Sequence, residues 1–248
     1  MSTTLIAGTP HSHPLYEEIQ DEITRGLADR KWKPGDLIPS ETELAKRFGV
    51  SKGTIRRALD ELVSDRILVR RQGRGTFVAT HSPDRTLYHF FHLIGRDGTK
   101  EPPAAELLSY RVIRGSDEAC DRLEVETDSK LVSVRNLVRL AGDPIFIDEI
   151  LIPQAYVPGL TEAIYVNRES TIYALYQGRF DISVIRISEQ LSAGPVPAEY
   201  AKPLGLRTNT PVLVIDRVAF TYHDKPVELR RSWVNTESYV YHSDLWKG

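Results

Sequence analysis

The sequence predicts an α+β fold in two parts, and three observations predict it. Apolar residues recur at helical spacing up to about residue 62 and at strand spacing from about residue 107 onward, with the short polar, proline-bearing stretch His81 to Arg85 between them. At roughly 100 to 200 residues per domain, 248 residues suit two modest domains. The division expected is a flexible start at 1–14, a first domain at 15–79, a linker at 80–86 and a second domain at 87–248.

In the first part Leu15, Ile19, Ile23 and Leu27 recur every four residues, with Glu17, Glu18, Asp21 and Glu22 early and Arg25 and Arg30 late. That is an amphipathic helix charged in the sense its own dipole favours. The turn Lys33-Pro34-Gly35-Asp36 ends it, and Ser40 with Glu43 makes a capping box for a second, short helix with Leu44 and Phe48 inward. Gly49 suits a left-handed helix end, and Ser51 caps a third helix with Ile55, Ala58, Leu59 and Leu62 inward. Ile67 to Val69, the glycine-rich turn Arg70 to Gly75 and Thr76 to Val78 then form a hairpin. Helix, turn, helix and hairpin in this order make a winged helix-turn-helix, whose third helix suits a DNA major groove and whose wing suits phosphates or the minor groove.

Charge points the same way. The chain carries 32 Lys plus Arg against 34 Asp plus Glu, yet residues 46–74 hold 9 basic and 3 acidic side chains. A basic patch on an acidic chain is a nucleic-acid footprint, although Arg56 with Asp60 and Arg57 with Glu61 are spaced to pair along one helix. The single Cys120 excludes an internal disulfide framework and a Cys-rich zinc module. No run of about 18 apolar residues spans a membrane and the first residues lack a secretory signal, so a cytoplasmic protein with no membrane partner is expected.

The stretch SETELAKRFGVSKGTIRRALDELVSDRILVRRQGRGTFV resembles the DNA-binding domain of the GntR family of bacterial transcription regulators, over residues 15–79. The resemblance implies contacts to double-stranded operator DNA from Ser51, Lys52, Thr54 and Arg56 and from the wing at Gly73. Exposure and charge add Arg57, Gln72 and Arg74. Thr42 and Lys52 stand where many members carry Arg; Lys is a point charge where Arg forks onto guanine, so the operator is expected to depart from the common one.

Beyond the linker, strands are expected at Leu107–Ile113, Leu131–Leu140, Ile145–Ile152, Ile182–Leu191, Val212–Thr221 and Val227–Val234. Short helices are expected at Ser116–Leu123, Thr171–Gln177 and Pro197–Pro203. This is a largely antiparallel sheet with helices. RNLVRLAGDPIFIDEI and DRVAFTYHDKPVELRR each read as strand, turn and strand, a weak internal repeat of hairpins. Alternation puts Arg135, Leu137 and Arg139 on one strand face and Phe146, Asp148 and Ile150 on another.

These motifs, with TIYALY and PVPAEYAKPLGL, resemble the UTRA effector domain of the HutC subfamily, which shares the chorismate lyase fold. The resemblance implies an effector site at Arg139, Asp148, Thr171 and Glu228, with Arg135 nearby and the loop His89 to Arg96 as a further wall. Leu137, often a second arginine, and Val234, often an aromatic, are departures that favour a less anionic ligand than a phosphate dianion.

His11, His13, His89 and His92 lack partners at metal-ligand spacing, no phosphate-binding glycine loop is present, and Trp32, Trp233 and Trp246 read as packing residues, so no metal and no cofactor are expected. The reading is a homodimeric, ligand-responsive regulator, a repressor of a catabolic or uptake operon relieved by a phosphosugar, a carboxylate or an amino-acid catabolite. The alternative is an enzyme whose lyase-like second domain acts on a small acid through Asp148, Glu149 or Glu228.

Overall fold

The computed structural model describes residues 14–82 and 90–243. The expected start at 1–13, the linker residues 83–86, Leu87, His89 and Trp246 lie outside the described residues. The chain divides into two compact units, Met1–Thr80 and His81–Gly248.

In the first unit α1 (Leu15–Ala28) buries Ile19, Ile23 and Leu27, the four-residue stripe of its sequence. In α2 (Glu41–Phe48) the capping box forms: Glu43 N donates to Ser40 Oγ at 3.3 Å and Ser40 N to Glu43 Oε2 at 2.8 Å. Gly49 ends this helix at φ 70°, where a side chain would strain the backbone. Ser51 then caps α3 (Lys52–Ser64), which buries Ile55, Ala58, Leu59 and Leu62 against α1 and α2. The wing is the antiparallel hairpin of β1 (Leu68–Arg71) and β2 (Gly75–Val78). Ile38 N to Thr76 O and Val78 N to Asp36 O, each at 2.9 Å, lay the chain before α2 along its edge.

The second unit is built on β4 (Ala104–Arg114), β5 (Lys130–Leu140), β6 (Asp143–Pro153), β7 (Arg186–Pro195), β8 (Pro211–Phe220) and β9 (Pro226–Val234). They form one antiparallel sheet in the order β4-β5-β6-β9-β8-β7. The two expected hairpins are present as β5–β6 and β8–β9. A two-residue turn, Ala141-Gly142 with φ 49° and 92°, closes the first, a conformation matched to strand twist. A separate two-stranded pair, β3 (Leu93–Gly95) with β10 (Tyr239–Tyr241), packs Leu93 and Tyr239 with Val138, Phe146 and Val234 of the larger sheet.

Helices cover both faces of the sheet. On one face Val132, Val134, Ile150 and Ile152 pack with Tyr165 of α5 (Glu162–Val166) and with Tyr173 and Tyr176 of α6 (Ile172–Phe180). On the other, Leu123 of α4 (Asp117–Leu123) packs on Leu131 and Leu229, while Tyr200 of α7 (Ala198–Ala201) packs with Leu137 and Ile147. The expected helices at Ser116 and Thr171 begin one residue later, because each of these residues is the cap that accepts the first-turn amide. The expected strand at Ile182 starts only at Arg186, and the helix expected at Pro197–Pro203 is the single turn of α7.

Candidate functional site

The first unit gathers its sequence-predicted residues at three places: the start of α2, the start of α3 and the wing tip. Thr42, Ser51, Lys52, Arg56, Gln72, Gly73 and Arg74 are exposed, and Thr54 is half-buried. Lys52 and Arg56 lie one turn apart, so at about 100° per residue they share a face of α3. Ser51 Oγ accepts from Thr54 N at 3.1 Å, and the two hydroxyls lie 2.8 Å apart. Each hydroxyl keeps a further donor or acceptor position. At the wing, Gly73 takes φ 70° between the paired Arg71 and Gly75, which pushes Gln72 and Arg74 outward.

Two expectations need correction. Arg56 does not pair with Asp60 along its helix: Nε and NH2 donate to Glu41 of α2, NH2 at 2.9 Å, while Asp60 takes Arg70 of the wing at 2.5 Å. Glu41, which the sequence reading missed, thereby ties α2, α3 and β1 together, with Arg70 also within 3.5 Å. The Arg56 hydrogen bond holds the Glu41 carboxyl below its ordinary value, against a smaller push from burial. Arg57, which is exposed, lies over Tyr16 of α1, 3.9 Å from the ring centre, rather than beside Glu61.

In the second unit a cavity of about 270 Å³ opens between the sheet and the segment that leads into α6. Register decides what lines it. Asn136 lies opposite Asp148 and Arg135 opposite Glu149, and facing pairs share a side of the sheet. The cavity side receives Asn136 and Val138 from β5, Phe146, Asp148 and Ile150 from β6, Arg217 from β8 and Arg230 from β9.

Arg135 and Arg139, expected beside Asp148, are therefore not in the cavity. Arg135 points to the other face, 2.6 Å from Glu149 and 3.3 Å from Glu199, with its guanidinium over Tyr200. Arg139 follows a bulge in the β5–β6 register and reaches Gly142 O at 3.2 Å and Glu106 at 3.6 Å. Leu137 packs with Ile147 and Tyr200 on that same far face, so its lack of charge says nothing about the ligand. Glu149 faces away from Asp148 for the same reason, so of the three acids only Asp148 and Glu228 share a side of the sheet, with Arg230 between them.

Thr171 and Asp148 do line the cavity, and Thr171 caps α6 with its Oγ. Glu228 sits behind the wall, fully buried, accepting from Tyr176 at 2.6 Å and from Tyr173 at 3.3 Å. Asp148 accepts from Ser232 at 2.5 Å and from Arg230 at 3.2 Å, and burial pushes its carboxyl up against both. Arg217 and Arg230 face each other across β8 and β9, a repulsive placement that three carboxylates offset. Glu189 takes Arg217 at 2.7 Å, while Asp148 and Glu228 take Arg230. Burial pushes Glu189 up, but the hydrogen bond from His92, the charge of Arg217 and the hydroxyl of Tyr241 outweigh it and hold its carboxyl down at about 2.

The sequence reading missed Asn136, Arg168, Ser170, Arg217 and Arg230. One signal was present: Glu228, Arg230 and Ser232 alternate with Leu229 and Arg231 along one strand face. Among the described residues no three His, Cys, Asp or Glu cluster to hold a metal, and His92 is engaged by Glu189 and Tyr241. Trp32 lies against Gly26, and Trp233 packs on Tyr200 at 4.9 Å. No described helix is long and apolar enough to cross a membrane.

Comparison with known proteins matches both units. Residues 15–78 match the GntR family of bacterial regulatory proteins, and residues 99–240 match the UTRA domain. The chain is 31% identical over 222 residues to a protein of Escherichia coli (strain K12) named "Probable fructoselysine utilization operon transcriptional repressor", covering 88% of this chain and 90% of that one. It is 27% identical over 230 residues to the HTH-type transcriptional repressor NagR of Bacillus subtilis (strain 168), covering 92% and 93%. A crystal structure of the ligand-binding domain of a GntR-family regulator from Bordetella bronchiseptica superposes with a TM-score of 0.62 at 28% identity, covering 64% of this chain and 99% of that one. The chain belongs to the GntR family of bacterial regulatory proteins, as a DNA-binding regulator and not an enzyme, with a UTRA domain as its second unit.

Proposed function

We propose that the protein is a homodimeric, ligand-responsive repressor acting in the cytoplasm on a catabolic or uptake operon. The observation that carries this reading is the UTRA unit's cavity, lined by three guanidiniums and a buried carboxylate, in the same chain as a winged helix-turn-helix. Relatives named as transcriptional repressors, among them one of a fructoselysine utilization operon and one of a mannosyl-D-glycerate transport/metabolism system, support the direction of control. One winged unit reads only a few base pairs, so two of them on a two-fold operator multiply affinity and the length of sequence read.

On the DNA side the contacts fall to Thr42, Ser51, Lys52, Thr54 and Arg56 and to Gln72, Gly73 and Arg74 of the wing, with Arg56 presented by Glu41. On the ligand side they fall to Asp148 and Thr171 with Asn136, Arg168, Ser170, Arg217 and Arg230, and Glu228 supports them from behind. A ligand relieves repression by favouring one dimer geometry over another by about 1 to 3 kcal/mol. The test is retention of a selected operator duplex: Arg56→Ala lowers affinity about tenfold or more and leaves ligand-induced stabilisation intact. Unchanged operator affinity in that variant contradicts the assignment.

A further inference from the structure

We propose that the cavity takes a small monocarboxylate with a largely apolar body, its carboxylate held by Arg168 and Ser170 at the entry to α6, and discriminates against phosphate esters. This rests on the reading of the cavity as the effector site. The argument begins with charge. Of the three guanidiniums that face the cavity, Arg217 is committed to Glu189 and to Phe90 O, each at 2.7 Å. Arg230 is committed to Asp148 at 3.2 Å and Glu228 at 2.9 Å. Arg168 has no carboxylate partner among the described residues; its NH1 donates to Tyr165 O at 2.6 Å and its plane lies over the Tyr165 ring. The strand β5 adds no cation, because its cavity side carries Asn136 and Val138.

Three guanidiniums thus stand with three carboxylates, Glu189, Asp148 and Glu228, and Arg168 is the guanidinium of the wall left without a carboxylate partner among the described residues. A second negative charge would face the Asp148 carboxylate on the same wall, and burying an unpaired charge costs several kcal/mol. Arg168 can pair a single negative charge, which suits a monoanion better than a phosphate dianion.

Hydrogen bonding places the carboxylate. Arg168 Nε and Ser170 Oγ are buried in the cavity wall without a hydrogen-bond partner among the described residues. Both can donate to a carboxylate, the guanidinium nitrogen as a donor alone and the hydroxyl as donor or acceptor. Arg168 and Ser170 stand just ahead of the Thr171 cap, where the first-turn amides of α6 add positive character. Phe91, Val138, Phe146 and Ile172 add apolar surface to the lining. A volume of about 270 Å³ suits a small molecule.

The experiment is a thermal-shift titration of the full chain with benzoate, phenylacetate and hexanoate, against phenylacetamide, inorganic phosphate and glucose 6-phosphate. At least one monocarboxylate is expected to raise the melting temperature with saturation, while the neutral amide and both phosphates do not. Arg168→Gln is expected to weaken that carboxylate tenfold or more, as loss of a charge-assisted hydrogen bond does. Should Arg168→Gln fold poorly, Ser170→Ala carries the same test at a smaller loss. Stabilisation by glucose 6-phosphate that Arg168→Gln abolishes would leave the cavity as the effector site and overturn the ligand class. A carboxylate shift that survives both substitutions unchanged would overturn the cavity reading itself, and no shift from any carboxylate would overturn the class.

Discussion

Arg56 and Arg57 are neighbours in sequence with the same charge, and the structure gives them different work. Arg56 shares a face with Lys52 and is presented by Glu41, whereas Arg57 lies over Tyr16. Arg57→Ala is therefore expected to leave operator affinity within about twofold and to lower the melting temperature by about 1–4 °C, the scale of one exposed cation–π contact. Operator retention and a thermal melt of the same sample check both halves, and a tenfold loss of affinity would return Arg57 to the DNA face. Glu189 makes a pH prediction. Its carboxyl is held down at about 2, below the ordinary 4.5, so its contribution to stability is fully present above pH 4.5 and is lost as pH falls from there toward 2. Glu189→Gln, which keeps the shape and removes the titration, is expected to flatten the fall in unfolding free energy across that window. An equally steep fall in the variant would show that other groups carry it.

Elements were legible where their pattern was long or capped. Ser40 with Glu43, Gly49 and Ser51 announce α2 and α3 because caps are local chemistry, and the β5–β6 hairpin is announced by Ala141-Gly142 between two apolar runs. Three-residue strands such as β3 and β10 leave no periodicity to detect, since their partners lie far apart in sequence. The site was legible only in part for a related reason. Alternation correctly grouped Arg135 with Arg139 and Asp148 with Phe146, but which of those faces meets α6 depends on the register Asn136 to Asp148, a long-range fact. The resemblance accordingly placed Arg135 and Arg139 one residue out of phase with the cavity. Gly49 tests the element scale. It sits at φ 70° with nothing within 4 Å of a built side-chain carbon, so Gly49→Ala adds backbone strain without a clash. The expected cost is about 1–2 kcal/mol by denaturant unfolding. A neutral substitution would show that the α2–α3 turn relaxes freely.

At the scale of the whole molecule, family membership, a DNA-reading unit and a walled cavity fit one linked equilibrium. In the proposed dimer, ligand and operator would each favour one state, and each would then alter the affinity of the other by the same factor. Light scattering is expected to give twice the 28.1 kDa chain mass, and two chains per operator duplex. A monomer bound singly would contradict the dimer. The most direct test of the central claim is fluorescence anisotropy of a labelled operator, titrated with protein in the presence and absence of a saturating monocarboxylate identified by thermal shift. The affinity of the wild-type protein is predicted to fall about fivefold or more with ligand, with no change in Arg168→Gln at the same concentration. Equal affinity with and without bound ligand in the wild-type protein would contradict the claim that this cavity controls DNA binding.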